Sequence, residues 1–114
     1  MELPRDAERL SVYIGESDQR DGRPLYEVLV EEARRQGMAG ATALRGRAGF
    51  GANSRMHTSR VLRLSEDLPM VVEITDAPDK IDAFAAWLDG VITEGLVVRE
   101  KVRVVFYRHN GGKK

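Results

Sequence analysis

The feature that most constrains this chain is an amphipathic stripe set between two alternating stretches. Ile81, Phe84, Ala85, Leu88, Val91 and Ile92 recur at the spacing of a helix with one apolar face. Met70–Thr75 before it reads as a strand, and beyond it Val102, Val104 and Phe106 alternate with Arg103, Val105 and Tyr107, which predicts a strand over 97–107. Asp76, Pro78 and Asp79 mark an acidic helix start, and Thr93-Glu94-Gly95 its end. The first part of the chain follows the same plan. Leu10, Val12 and Ile14 alternate against Ser11 and Tyr13, predicting a strand over 9–15. Pro24 can open a helix because its missing N–H costs nothing in the first turn. Leu25, Val28, Leu29 and Ala33 follow at helical spacing, and Gly37 is a stop. Ala41 to Leu44 predicts a strand within 39–46, and Arg60–Leu64 a further short one. The main elements therefore run β-α-β-β-α-β. This is the α+β, ferredoxin-like split β-α-β plan, an antiparallel sheet with two helices on one face. A polar arm (1–8), a single domain (9–107) and a polar tail (108–114) complete the organisation.

A chain of 114 residues suits one such domain and can bury a core without staples. It has no cysteine, which removes disulfides, thiolate metal sites and thiol nucleophiles and is compatible with a reducing compartment. No apolar run reaches the roughly 18 residues of a membrane helix, so direct membrane insertion is not expected. The N-terminal residues lack the basic-then-apolar pattern of a signal peptide, so a cytoplasmic location is the expectation. Net charge is zero, but it is blocked along the chain: residues 1–32 carry nine acids and four bases, 33–65 seven arginines and no acid, 66–98 eight acids and one base, and 99–114 one acid and six bases. A bulk polyanion binder is normally basic overall, and aromatic residues are only 6%, so a nucleic-acid platform is poorly supplied.

The segment Arg45–Arg60 carries the most distinctive chemistry. It joins two strands that a tight turn could join, and long loops in small domains are often functional. It holds glycines that expose backbone N–H groups, four arginines, hydroxyls and His57, with no acid. Such a loop can wrap an anion with main-chain donors and arginine forks; the competing reading is a hairpin tip with solubilising arginines. Gly46-x-x-Gly49-x-Gly51 has the wrong order for a dinucleotide fingerprint, and no Gly-Lys-Ser/Thr P-loop exists. Two separated histidines without cysteine make no metal site, and no triad spacing suggests a catalytic residue. A second stretch, Tyr13–Asp18 through Gly22–Glu27, leaves a strand and enters a helix; on its residues alone it reads as a loop with a helix cap.

Tyr13-Ile-Gly-Glu-Ser-Asp18, Gly22-x-Pro-Leu-Tyr-Glu27, Gly37-x-x-Gly40-Ala-Thr-x-Leu-Arg-Gly46, Gly49-Phe-Gly51, His57-Thr58 and Leu62-Arg-Leu-Ser-x-Asp-Leu-Pro69 stand in an order that resembles the domain-of-unknown-function family 190 over about residues 9–107. That family stands near the PII signalling proteins, which are ferredoxin-like homotrimers with nucleotide clefts between subunits. The resemblance implies a trimeric sensor rather than an enzyme. It would bind a small anionic metabolite, an adenine nucleotide first among them, and hold no covalent cofactor. Loop 46–59 would change order and be read by a partner such as a membrane transporter or channel. By this resemblance Arg45, Gly46, Gly49, Phe50, Gly51 and His57 are ligand residues of the loop, and Thr93, Glu94 and Gly95 those of the loop after the second helix. That second loop lacks the lysine and repeated glycines by which PII proteins hold triphosphates, so AMP, ADP, a cyclic nucleotide or bicarbonate is as well suited as ATP. No tyrosine lies between Arg45 and Arg60 to accept a uridylyl group. The alternative is a small ferredoxin-like enzyme acting on a phosphorylated substrate.

Overall fold

The computed structural model describes residues 3–50, 57–58 and 68–108. In chain order the elements are β1 (Asp6–Gly15), β2 (Gln19–Arg20), β3 (Arg23–Pro24), α1 (Leu25–Arg35), β4 (Ala41–Arg45), β5 (Ala48–Gly49), β6 (His57–Thr58), β7 (Pro69–Asp76), α2 (Pro78–Asp89) and β8 (Leu96–Arg103). The main sheet has the order β4-β7-β1-β8, and every neighbouring pair is antiparallel. With the two short ladders β2–β3 and β5–β6 set aside, this is the ferredoxin-like split β-α-β arrangement.

The alternation of β1 separates two faces. Leu10, Val12 and Ile14 join Met70, Val72 and Ile74 of β7 on one face, where Leu25, Leu29 and Ala33 of α1 and Ile81, Phe84 and Leu88 of α2 close the core. Both helices therefore lie on one side, where these inward positions of β1 and β7 offer apolar side chains for their stripes to cover. Trp87, at the margin of the α2 stripe, is partly buried and tilts against Phe84 with ring centroids 5.3 Å apart.

Element ends differ from the sequence pattern for identifiable reasons. β1 begins at Asp6 rather than at residue 9: Asp6, Ala7 and Glu8 pair with Arg103, Val102 and Lys101, a ladder that polar side chains do not reveal as alternation. α2 stops at Asp89 with Gly90 as its C-cap, yet Val91 is still buried, so the apolar stripe continues past the helix that carries it. β8 ends at Arg103, although Val104 N–H still donates to the Arg5 carbonyl at 2.7 Å. Asp76 is not the helix N-cap, which is Ala77. Its buried carboxylate instead accepts from the backbone N–H of Ala39 and of Ala77, both at 2.7 Å, and ties the entry of β4 to the entry of α2. The strand expected over 60–64 lies outside the described residues. Among the described residues, no helix is long and apolar enough to cross a membrane.

Candidate functional site

One end of the sheet collects the residues in question. There β1 leaves at Gly15, β4 leaves at Arg45, β7 enters at Pro69 and β8 enters at Leu96. The stretch from Gly15 to α1 is a compact connector. Gly15 N–H donates to the Asp18 carboxylate at 2.9 Å, and Leu25 N–H to the Asp18 carbonyl at 2.8 Å. Asp21 and Gly22, with φ of 53° and 79°, turn the chain between β2 and β3. Two successive residues with positive φ are what the tightest hairpins need, and Asp-Gly supplies them. α1 follows Pro24 with no side-chain cap.

The rim of this end is closely fitted. Gly46 N–H donates to the Pro69 carbonyl at 2.7 Å, extending the β4–β7 ladder by one bond, and Glu16 N–H donates to the Leu68 carbonyl at 2.7 Å. A Cβ at Gly46 would stand 2.8 Å from Pro69 Cγ, and one at Gly49 3.2 Å from the same atom. Gly49 pairs through its backbone with His57, and Ala48 with Thr58, so the ends of the long loop are drawn together as a short hairpin stem. Phe50 beyond it is exposed. Gly51 lies outside the described residues.

Arg45 ends its strand with the side chain on the helix side of the sheet, in register with Met70. Its Nη2 makes an ion pair with Glu16 Oε1 at 3.2 Å; Arg45 is 58% exposed in its side chain and Glu16 27%. The pair lacks the alignment of a hydrogen bond, and Oε1, shielded from solvent, receives none from any described residue. Arg35, by contrast, forks onto both carboxylate oxygens of Glu32 with hydrogen bonds, so the basic block is partly balanced by acids from the first block. Hydrogen bonding by Arg35 and Gln36, in that order, holds the Glu32 carboxyl below its ordinary range. Arg47 is exposed. Glu16 is the functional candidate that sequence reasoning missed, although it stands within the quoted stretch Tyr13–Asp18.

Thr93, Glu94 and Gly95 lie at the same end of the sheet but before β8, the opposite edge strand. Gly95 allows the chain to pass against β1: a Cβ there would stand 2.8 Å from the Tyr13 carbonyl oxygen and 3.1 Å from Ile14 Cγ2. Three strand spacings separate the β4 and β8 edges, about 14 Å. Within one chain the two predicted groups therefore share an end of the sheet without meeting. A recess of about 440 Å³ elsewhere, with Glu8, Pro78, Lys101 and Arg103 among its walls, contains none of these residues. Among the described residues, no cluster of histidine and carboxylate side chains could hold a metal ion.

The helix-free face has its own pattern. By register, Leu44, Val71, Tyr13 and Leu96 form one transverse row at this end of the sheet; Thr42, Glu73, Ser11 and Val98 form the next. Leu44 is 51% exposed, Leu96 58% and Tyr13 43%. Farther along, Arg9 forks onto Glu100 Oε1 at 2.9 and 3.1 Å. Within the sheet, one exposed apolar row of this face thus lies beside the rim, while Val105, Phe106 and Tyr107, beyond the end of β8, form a second exposed apolar stretch away from it.

Comparison with known proteins supplies the context. The family described as DUF190, Uncharacterized ACR, matches residues 7–104. A UPF0166 protein of Aquifex aeolicus (strain VF5) is 34% identical over 97 residues, 85% of this chain and 91% of that protein. A UPF0166 protein of Methanocaldococcus jannaschii is 30% identical over 93 residues, 81% of this chain and 85% of its own length. In three dimensions the chain is similar to CPII, a nitrogen regulatory PII-like protein from Thiomonas intermedia K12 solved bound to ADP, AMP and bicarbonate. The TM-score is 0.67 at 13% identity, covering 87% of this chain and 88% of CPII. CutA from Synechococcus elongatus PCC7942 gives 0.51 at 11% identity over 86% of this chain and 82% of CutA. At those identities the likeness is one of fold.

Proposed function

The chain belongs to the DUF190 family and has a PII-like fold, and from that premise we propose that it is a non-enzymatic cytoplasmic sensor. It assembles as a homotrimer and binds a small anionic metabolite, an adenine nucleotide, at clefts between subunits. The observation that carries this reading is the placement of Arg45–Phe50 and Thr93–Gly95 at the same end of the sheet but on opposite edges. Two half-sites about 14 Å apart in one chain become one cleft when the β8 edge of a neighbour stands beside the β4 edge. The apolar row Leu44–Val71–Tyr13–Leu96 supports such a neighbour, since it offers uncovered surface at the same end. CPII, bound to ADP, AMP and bicarbonate, shows ligands that a protein of this fold can take.

In this reading the Arg45 guanidinium receives the phosphate beside the backbone of Gly46, Gly49, Phe50 and Gly51, with His57 as a further donor; the Gly46 N–H itself is engaged by the Pro69 carbonyl. Thr93, Glu94 and Gly95 of the neighbour face the rest of the ligand. Gly51 and loop 46–59 change order when the ligand arrives. A ligand biases such a segment only by binding its two states unequally. The reader of that change is a partner protein, a membrane transporter or channel.

Titration calorimetry with AMP, ADP, ATP, a cyclic dinucleotide and bicarbonate, combined with light scattering, tests the reading. Saturable binding of an adenine nucleotide, at one site per subunit and without turnover, is the expected result. An intact trimer that binds none of the adenine nucleotides, or that hydrolyses one, overturns it.

A further inference from the structure

The ion pair between Glu16 and Arg45 bears on which anion the rim accepts. Glu16 hangs from the end of β1, its backbone fixed by the bond to Leu68, and its Oε1 is shielded and without a hydrogen bond from any described residue. Arg45 is the more exposed partner, and 3.2 Å separates Nη2 from that oxygen. A buried or half-buried acceptor left without a donor is costly, and most such oxygens in folded proteins have one.

The two ends of the pair respond differently to an incoming anion. The Arg45 guanidinium can turn outward to meet a phosphate, because most of its side chain is in solvent. Glu16, held closer to the sheet, cannot follow. An anion that recruits Arg45 therefore weakens the compensation of the Glu16 carboxylate and brings a second negative charge beside it. A bare anion has nothing to offer in return. A phosphate ester that also carries O–H or N–H donors can satisfy Oε1 with one of them.

We propose that Glu16 is a specificity-determining residue of the rim, selecting phosphate esters that bear hydroxyl or amino donors, such as nucleotides, against bare inorganic anions. The proposal rests on the reading of Arg45 as a ligand residue. Glu16 acts on simple anions as a competitor for Arg45 and on donor-bearing ligands as a partner.

The test compares AMP with inorganic phosphate as probes of the intact protein and its Glu16→Gln variant, by titration at one pH and salt concentration. Glu16→Gln removes the charge and keeps an acceptor. Phosphate should bind the variant about tenfold more tightly than the wild type. AMP should change by less than about threefold, because the gain in free Arg45 is offset by the loss of a charge-assisted bond. The preference for AMP over phosphate therefore narrows. Glu16→Asp, whose shorter side chain withdraws from Arg45, should move the preference in the same direction and covers the case in which the first variant fails to fold. An equal change for both probes, or none, overturns the role of Glu16. Wild-type protein that binds neither AMP nor ADP overturns the sensor reading instead, and the response of phosphate to Glu16→Gln still decides whether Glu16 guards Arg45.

Discussion

A methyl group at Gly95 would have to share space with the Tyr13 carbonyl oxygen 2.8 Å away and with Ile14 on the central strand. Backbone cannot yield as a flexible side chain can, so Gly95→Ala should destabilise the fold by about 1–3 kcal/mol, seen as a lower denaturant midpoint with an unchanged slope. The same variant should weaken ligand binding only through the displaced loop. Arg45→Ala acts chiefly on binding: stability should fall by about 1 kcal/mol at most, the cost of leaving the half-buried Glu16 carboxylate without its partner. The affinity for an adenine nucleotide should fall by about one to two decades in titration, the loss of one charge-assisted contact. Arg47→Ala should cost less, because a side chain on the loop loses more freedom when it pairs. These contrasts mark what the sequence could and could not reveal. Arg45, Gly46, Gly49 and Gly95 stand out by motif, but a motif does not separate a glycine that lets a ligand approach from one that lets a strand approach. Gly46 against Pro69 and Gly95 against Tyr13 belong to the second kind. Glu16 escaped notice because an acid in a polar connector has no periodicity; only its distance to Arg45, a contact between residues far apart in sequence, distinguishes it.

The helices owe their place to single faces. Phe84 fills the centre of the core and touches Trp87, so Phe84→Ala should cost about 3–5 kcal/mol and sharply lower the melting temperature. α1 carries its charges outward. Glu31 is held below its ordinary carboxyl range by a hydrogen bond from Arg23, and Glu32 by bonds from Arg35 and Gln36. A depressed folded value means that the contribution is complete above the unfolded carboxyl range, roughly pH 4.3, and is lost as pH falls through the folded value. The stability difference between wild type and Glu32→Gln should therefore be constant at neutral pH and shrink in acid, as followed by denaturation at a series of pH values. Elements of this kind are legible because apolar spacing repeats along the chain: the α2 stripe and the alternation of β1 located their structures directly. Their ends are less legible. Val91 remains buried after the helix has stopped at Gly90, and Asp6–Glu8 join a ladder that is defined by residues 101–103 rather than by their own pattern.

At the scale of the whole molecule, the helix-free face sets the main expectation. A row of Leu44, Val71, Tyr13 and Leu96 beside polar rows is a poor surface to leave in water and a suitable one to share among copies. Light scattering behind a sizing column should give about three times 12.7 kDa. Leu44→Asp should shift the protein toward a monomer with a preserved circular dichroism spectrum, and the same variant should lose nucleotide binding if the cleft needs a neighbour. The proposed assembly was not legible from residue patterns alone, since alternation separates two faces but does not say whether anything covers the second.

The position of β1 between β7 and β8 has a further consequence, for how the protein comes into being. The first strand of this domain is the one that needs the last: Arg9 and Glu100, 91 residues apart in sequence, meet across adjacent strands. Such distant pairing makes ring closure the slow step, and chains of this topology mature more slowly than those built from neighbours. The nascent β1 segment, with Leu10, Val12 and Ile14 uncovered, must wait until α2 has been synthesised before it can be enclosed. A protein truncated before β8 should consequently be recovered as an aggregate or a chaperone client rather than as a smaller folded unit.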